Sequence, residues 1–507
     1  MNFKRILLVL FITVFACNTS LSQKKTISNV YTLIDMGPIL AESEVSGYYM
    51  FYKTDRLSET EFSYELKILD QNLNELISQK IEGTYHLYLV SCVYNNETLL
   101  IKFYDSMKRM FTITQYDNNA EEISVLKESA GDTFTNNITM PYHLGISNNP
   151  DLFPMNKCGF IDYRSVATTG DFFKCLGFEI DFYPSQVDRD NWTFASDKSS
   201  LLHNRAKFIY GDKNIILSSI LKNKKFSISQ LGELSLLALD TKTGEKVYEK
   251  IVSHPKYQFS IMSAIDAIDE EGNITLFGFY YPKEVNEEDN STSLGMFSAV
   301  IDSSGNFSER NYISWEDDAS KFVDINKEGF LKDIGNIFFH DIIKNADGNI
   351  YLIGEQYNRN HKIYTVEIVL KNLMIFQLNS DYEIQEVKTI EKEKSVIDFP
   401  LLFSFKSPQY LASFIKFENN FIQSNKDKSI FSYSYTNKVK IKRKTEKLFF
   451  GNITYTDSEL SQDYIEIEAV TYKKDVSTLP AKLGNVVIVE YLNAEKELRM
   501  RIEKINY

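Results

Sequence analysis

The stretch Asn345-Ala346-Asp347-Gly348-Asn349-Ile350-Tyr351-Leu352-Ile353-Gly354 constrains the fold of this chain more than any other, because versions of it recur. Gly272-Asn273-Ile274-Thr275-Leu276-Phe277-Gly278 repeats its Gly-Asn-Ile-x-Leu-x-Gly core, and looser echoes begin at Gly451-Asn452-Ile453 and Gly484-Asn485-Val486. Asn345 to Gly348, Asp269 to Gly272 and Asp302 to Gly305 all read Asx-x-x-Gly. An Asx side chain at the first position caps a type I turn, and glycine at the fourth accepts positive φ, which gives a bulged hairpin. Beyond the turn, Ile350 and Leu352 point to one face of a strand, and Tyr351 and Ile353 to the other. Both faces are apolar, so the strand is expected to be buried on both sides, as between stacked sheets.

Hairpins of a second kind alternate with this strand. Glu61 to Asp70 turns through Asp70-Gln71-Asn72-Leu73-Asn74 into Glu75 to Ile81, and Met110 to Tyr116 turns at Asp117-Asn118-Asn119-Ala120 into Glu121 to Lys127. The pattern returns at Asp240 to Gly244, Asp302 to Gly305 and Asn379 to Asp381. Four-stranded units repeated around an axis describe an all-β fold, a β-propeller of about seven units, with the N-terminal strand near Tyr31 to Ile34 completing the last sheet. Tandem β-sandwiches share the short strands and regular turns and are the alternative. No Pro- or Gly-rich linker divides the sequence, so residues 23–507 read as one domain. Two places break the pattern. Residues 129–205, with Pro141, Pro150, Pro154 and Pro184, read as an irregular insertion, and Ser314 to Ile334 reads as a crossover opening with a short helical turn.

Lys4 and Arg5 followed by the apolar run Ile6 to Ala16 fit a signal peptide over residues 1–22, too short to span a bilayer. Cleavage is expected between Ser22 and Gln23. Val14-Phe15-Ala16-Cys17 is an imperfect lipobox, which makes lipidation of Cys17 the competing outcome. Either outcome exports the chain, to the periplasm, the cell surface or the medium. In such a compartment Cys158 and Cys175 could form a disulfide, whereas Cys92 lies in an apolar strand and reads as a buried thiol. The formal net charge is −13. Such acidity argues against general nucleic-acid binding, which needs cations to replace phosphate counterions.

Searches for chemistry return little. The sequence has no Gly-x-Ser-x-Gly elbow, His-Glu-x-x-His helix, P-loop or Cys-x-x-Cys pair. Aligning Gly348 with the invariant glycine of an EF-hand loop puts Ile343 and Gly354 where oxygen ligands are required, so the acidic turns are not calcium loops. The six histidines lack metal-ligand spacing, and no cofactor or metal is expected. His340 and Asp341 would point to opposite faces of a regular strand. Lys438, Lys440, Lys442 and Lys444 share one strand face and read as a charged edge that deters aggregation. Within the irregular segment His143, Asp188, Arg189 and Trp192 are the loop candidates for a binding pocket.

The signal peptide, the repeated Asx-x-x-Gly-Asn-Ile strands and the missing catalytic motifs resemble secreted bacterial β-propeller-like families of unknown function. The resemblance specifies turn geometry and transfers no catalytic residue. It implies an exported, non-catalytic binding or interaction protein with a protein or glycan ligand. A glycan- or peptide-active propeller enzyme, or a structural subunit of the cell envelope, are the alternatives. Fold alone does not decide among them.

Overall fold

A computed structural model describes residues 23–42, 44–129, 152–167, 175–186, 189–197, 202–224, 232–265, 272–283, 293–332, 335–362, 365–392, 394–400, 420–425, 428–442, 445–456, 459–470 and 474–505. The signal region with Cys17 and Ser22 lies outside these residues.

Among the described residues the strands form eight antiparallel sheets in chain order, the blades of a propeller. Blades 1 to 8 are built on the inner strands Thr32–Ala41, Leu87–Tyr94, Leu152–Met155, Leu202–Gly211, Tyr257–Ala264, Gly335–Lys344, Asn420–Ser424 and Lys474–Pro480, and in blade 6 the short strand Phe330–Leu331 precedes Gly335–Lys344 and pairs with it. The last sheet takes its outer strand from the other end of the chain. Lys24–Ser28 pairs antiparallel with Glu497–Lys504, from Lys24 opposite Arg501 to Ser28 opposite Glu497, and the Ile502 N–H reaches the Gln23 carbonyl. This closes the ring and excludes tandem sandwiches. The closing strand lies just before the one expected: Thr32–Ala41 instead opens blade 1.

The count of about seven is corrected to eight by residues 129–205, which are no mere insertion. Leu152–Met155, Gly159–Ala167, Cys175–Pro184 and Trp192–Ala195 make up blade 3. Its inner and outer strands have four residues each, too few to show alternation. Pro154 sits in the inner strand opposite Phe160, an edge position where a missing N–H costs no ladder bond. The crossover expectation holds: between blades 5 and 6 the chain makes a 3-10 turn at Ala319–Lys321, and the Ser314 hydroxyl accepts the N–H groups of Glu316 and Asp317.

One turn geometry is used repeatedly. Asp70, Asp117, Asp302, Asn345 and Asn379 each accept the backbone N–H groups two and four residues on, at 2.8–3.1 Å. The residue three places after the cap adopts positive φ. It is glycine at Gly305 and Gly348, but Leu73, Ala120 and Tyr382 in the other copies, with φ of 62°, 64° and 65°. A non-glycine residue there costs about 1–2 kcal/mol. Three of the five turns persist without glycine because the Asx carboxylate or amide satisfies two N–H groups at once.

Adjacent blades pack face to face. Ile350 and Leu352 join Phe277, Met296 and Ile313 of blade 5 in one cluster, while Tyr351 and Ile353 join Phe431, Tyr433 and Tyr455 of blade 7 in the next. All four are at least 97% buried, which bears out a strand buried on both faces. Ile27 lies in the cluster that seals blade 8 to blade 1, with Val30, Val45, Val487 and Leu498. Replacing Ile27 with Ala is expected to cost about 2–5 kcal/mol, read as a lower urea midpoint with unchanged slope. A stability equal to that of the parent chain would show that closure contributes nothing.

Candidate functional site

Eight two-faced sheets leave few places for a charge, yet several middle strands carry one. Lys102 lies in the all-buried strand Leu99–Asp105 of blade 2 and pairs with Asp162 of blade 3, under the ring of Phe111. Next to it, Arg164 Nη2 donates to Asp181 Oδ1 at 2.7 Å, and Thr193 Oγ1 donates to the same oxygen. Burial pushes the Asp181 carboxyl up, and the Arg164 guanidinium opposes that shift. In blade 1, Lys53 Nζ donates to the Tyr85 carbonyl at 3.1 Å and lies 3.5 Å from the Tyr85 ring centre and 4.8 Å from that of Phe62. Burial lowers its pKa.

The most enclosed of these groups is Glu355, in Ile350–His361 of blade 6. Its Oε2 accepts from His340 Nε2 at 2.6 Å, and its Oε1 lies 2.6 Å from Lys392 Nζ. Both carboxylate and ammonium are fully buried. Burial alone would raise the Glu355 pKa, but the Lys392 charge and His340 overcome it and hold the value at about 2. Tyr433 of blade 7 is pushed up by burial and by the Glu355 charge beside it. The cluster pins blade 6 to blade 7. His340 reaches it because the strand is not regular there: Phe339 pairs with Gly354 and Asp341 with Ile353, so His340 is bulged out. Asp341 separately caps the Ile342 N–H.

That bulge belongs to a series. Ile34, Val90, Ile209, Met262 and His340 are each skipped by the pairing of an inner strand in blades 1, 2, 4, 5 and 6. A bulge frees backbone groups and redirects side chains, and here it recurs on five of the eight inner strands. Asp35 and Asp341 follow their bulges and cap the next N–H in the same way.

A cavity of about 620 Å³ is a groove on the outside between blades 5 and 6. Its walls are the outer strand Phe307–Ser314, the crossover with its 3-10 turn, and the turn Asp381 to Gln385. Phe322 is 41% exposed and Tyr312 36%, so two aromatic side chains face water on or beside it. Asp318 is held by the Ser314 N–H and Lys321, and Glu383 by Asn379. The Asp381 carboxylate has no ion pair among the described residues. A smaller slot of about 40 Å³ lies nearby, lined by Phe279, Tyr281, Trp315, Phe339 and Tyr357.

The residues singled out by sequence do not build this groove. His143 and Asp188 lie outside the described residues. Arg189 is exposed. Trp192 is a strut: its ring stacks on Phe182 at 5.3 Å and its Nε1 donates to the Thr241 carbonyl, tying blade 3 to blade 4. The proposed disulfide is also corrected. Cys158 is a free thiol at the start of Gly159–Ala167, whereas Cys175 pairs with Ala167 at the far end of that strand. The lysine run falls partly on Ile430–Lys442, which beyond Tyr435 pairs only with the strand Thr445–Thr456 among the described residues; Lys444 lies outside them. No group of three or more potential metal ligands occurs among the described residues, and none of their helices is long and apolar enough to cross a membrane.

Replacing Glu355 with Gln removes the carboxylate that faces the buried Lys392 ammonium and is expected to cost about 3–5 kcal/mol. The pH dependence has a definite sign. A carboxylate with a depressed folded pKa stabilises above its unfolded value and loses that contribution as pH falls. Stability of the parent chain should therefore drop between about pH 4.5 and 2 through this group, and E355Q should lack that component in urea titrations across the window.

No curated protein matches the sequence. Among solved structures, prolyl oligopeptidase B from Galerina marginata, solved with a 35mer hydrolysis and macrocyclization substrate, superposes at TM-score 0.43 and 8% identity over 92% of this chain. The chain spans 56% of that enzyme's length. A PL25 ulvan lyase, solved with -[GlcA(1-4)Rha3S]-, aligns at TM-score 0.41 and 10% identity, covering 82% of this chain and 91% of its own. The β-propeller domain of the trilobed protease from Pyrococcus furiosus aligns at TM-score 0.38 and 12% identity, covering 86% and 96%. Likenesses this distant carry no functional argument. The sequence profile is decisive for membership: residues 1–506 match one family throughout, and the chain belongs to the family described as "Family of unknown function (DUF6770)".

Proposed function

We propose that the chain is an exported, non-catalytic binding protein that holds a glycan in the groove between blades 5 and 6. The observation that carries this reading is the groove itself. Its volume falls in the range of ligand sites, about 300–1,000 Å³, and it combines exposed aromatic surface at Phe322 with the unpaired Asp381 carboxylate. Sugar rings offer an apolar face for aromatic contact and hydroxyls for a carboxylate or amide, and Gln385 supplies an amide on the same wall. The buried charges give no rival centre, since Lys102, Arg164 and Glu355 are engaged by partners across or within blade seams.

Export rests on the N-terminal sequence. Ser22–Gln23 is the proposed cleavage point, and the Gln23 carbonyl accepts a hydrogen bond from Ile502 of the closing sheet. Intact mass of the protein recovered from its native host is expected to correspond to a chain starting at Gln23. A diacylated chain starting at Cys17 would replace this with a lipid anchor.

For the groove, a glycan array followed by calorimetry is the test. The double variant Phe322→Ala, Asp381→Asn is expected to weaken the best glycan at least tenfold while leaving stability within about 0.5 kcal/mol, as for surface substitutions. Unchanged affinity would remove the groove from the reading. Release of new reducing ends from the bound glycan would establish a glycan-cleaving enzyme in place of a binding protein.

A further inference from the structure

The smaller slot between blades 5 and 6 is walled by aromatic rings. It measures about 40 Å³, and its rings are Phe279 and Tyr281 of Ile274–Pro282 in blade 5, Trp315 of the crossover, and Phe339 and Tyr357 of blade 6. One water needs roughly 10–15 Å³, so the slot takes a compact group larger than water. The rings are fixed by their neighbours. Trp315 Nε1 donates to Ser293 Oγ at 3.0 Å, and the indole lies parallel to the Phe339 ring within 2°, at 6.2 Å between centres. Phe279 lies 5.5 Å from Phe339. Trp315, Tyr281 and Tyr357 are buried.

One more copy of the Asx turn shapes the rim. Asn326 Oδ1 accepts the N–H groups of Glu328 and Phe330 at 3.0 and 2.9 Å, and Gly329 takes a positive φ of 74°. A Cβ on Gly329 would come within 2.8 Å of Trp315 Nε1, so the turn approaches the indole edge as glycine alone permits. The turn leaves Glu328 exposed and on the lining of the slot. Among the described residues the Glu328 carboxylate has no ion pair or hydrogen bond, and no lysine or arginine lines the slot. The slot and the outer groove share no lining residue.

We propose that this slot is an aromatic cage for a trimethylammonium group. The faces of aromatic rings are electronegative and attract a cation, most strongly where water is excluded. The Glu328 carboxylate adds opposite charge on the solvent side. The walls also favour a quaternary nitrogen over other groups. The indole N–H is bound to Ser293 and the Tyr281 hydroxyl to Ser260, which commits two of the three polar atoms that the rings carry. A sugar or an anion therefore finds few donors there. A primary ammonium would leave water with three N–H groups to satisfy, and ring faces are poor acceptors for them, whereas a trimethylammonium has no N–H at all.

The test is a titration of the full chain with choline, followed by proton NMR and calorimetry. The bound N-methyl protons are expected to move upfield, because they lie over ring faces. Dimethylbutanol, the neutral isostere in which carbon replaces the nitrogen of choline, should bind at least tenfold more weakly, and so should ethanolamine. Phe339→Leu keeps an apolar wall without the ring and should weaken choline at least tenfold. Glu328→Gln, at an exposed position that leaves the fold intact, should weaken choline at least threefold and leave dimethylbutanol unchanged. The groove variant Phe322→Ala, Asp381→Asn should bind choline as the parent does, so the cage and the glycan reading stand or fall separately. Sedimentation with phosphatidylcholine vesicles, reversed by free choline, would assign the group to a lipid head, and choline binding without sedimentation would assign it to a free solute; both outcomes support the cage. Equal affinity for choline and dimethylbutanol would reduce the slot to an apolar crevice and overturn the proposal, as would the absence of an upfield shift.

Discussion

In a closed ring every sheet has a neighbour on both sides, and the rest of this structure depends on that two-sided burial. A middle strand cannot alternate apolar with polar residues as a half-exposed strand does, because neither face meets water. Ile350, Tyr351, Leu352 and Ile353 satisfy the condition with four consecutive apolar side chains, split between two different seams. Where a charge enters such a strand, the seam must neutralise it locally. Lys102 meets Asp162, Arg164 meets Asp181, and Glu355 meets Lys392 and His340. Of these, the Lys102–Asp162 pair crosses from blade 2 to blade 3 and fixes how those two blades sit, since a shift of a few ångströms would strand a buried charge.

The same constraint explains what could be read from the sequence. The turns were legible because the Asx cap acts within five residues, and the hairpins around Asp70, Asp117, Asp302 and Asn379 stand where the sequence puts them. Glycine was a poorer guide than the cap, since Leu73, Ala120 and Tyr382 occupy the left-handed position in three copies. Blade 3 was hidden for a physical reason: four-residue strands carry almost no period, and Pro154 argues against a strand unless its edge position is known. Two-sided apolar runs interrupted by one charge, as at Lys102 in Leu99–Asp105 and Glu355 in Ile350–His361, were the available signal for the seam clusters.

The groove was not legible, because it is not local. Tyr312, Phe322 and Asp381 come together only because blades 5 and 6 pack in one particular way. Sequence-local reasoning instead favoured the loop residues Arg189 and Trp192, which do not line this groove, and Trp192 stacks on Phe182. In a repeat fold the conspicuous residues hold the repeat together, and the sites form between repeats.

The pairing of Lys24 with Arg501 has a kinetic side. Its partners are separated by almost the full length of the chain, so it is the contact of highest loop-closure cost in the molecule. Until it forms, Glu497–Lys504 presents a bare hydrogen-bonding edge, and the cluster around Leu498 and Met500 lacks Ile27. Closure of the ring therefore needs both Lys24–Ser28 and Glu497–Lys504, and that pairing covers an edge that would otherwise be open to wrong partners.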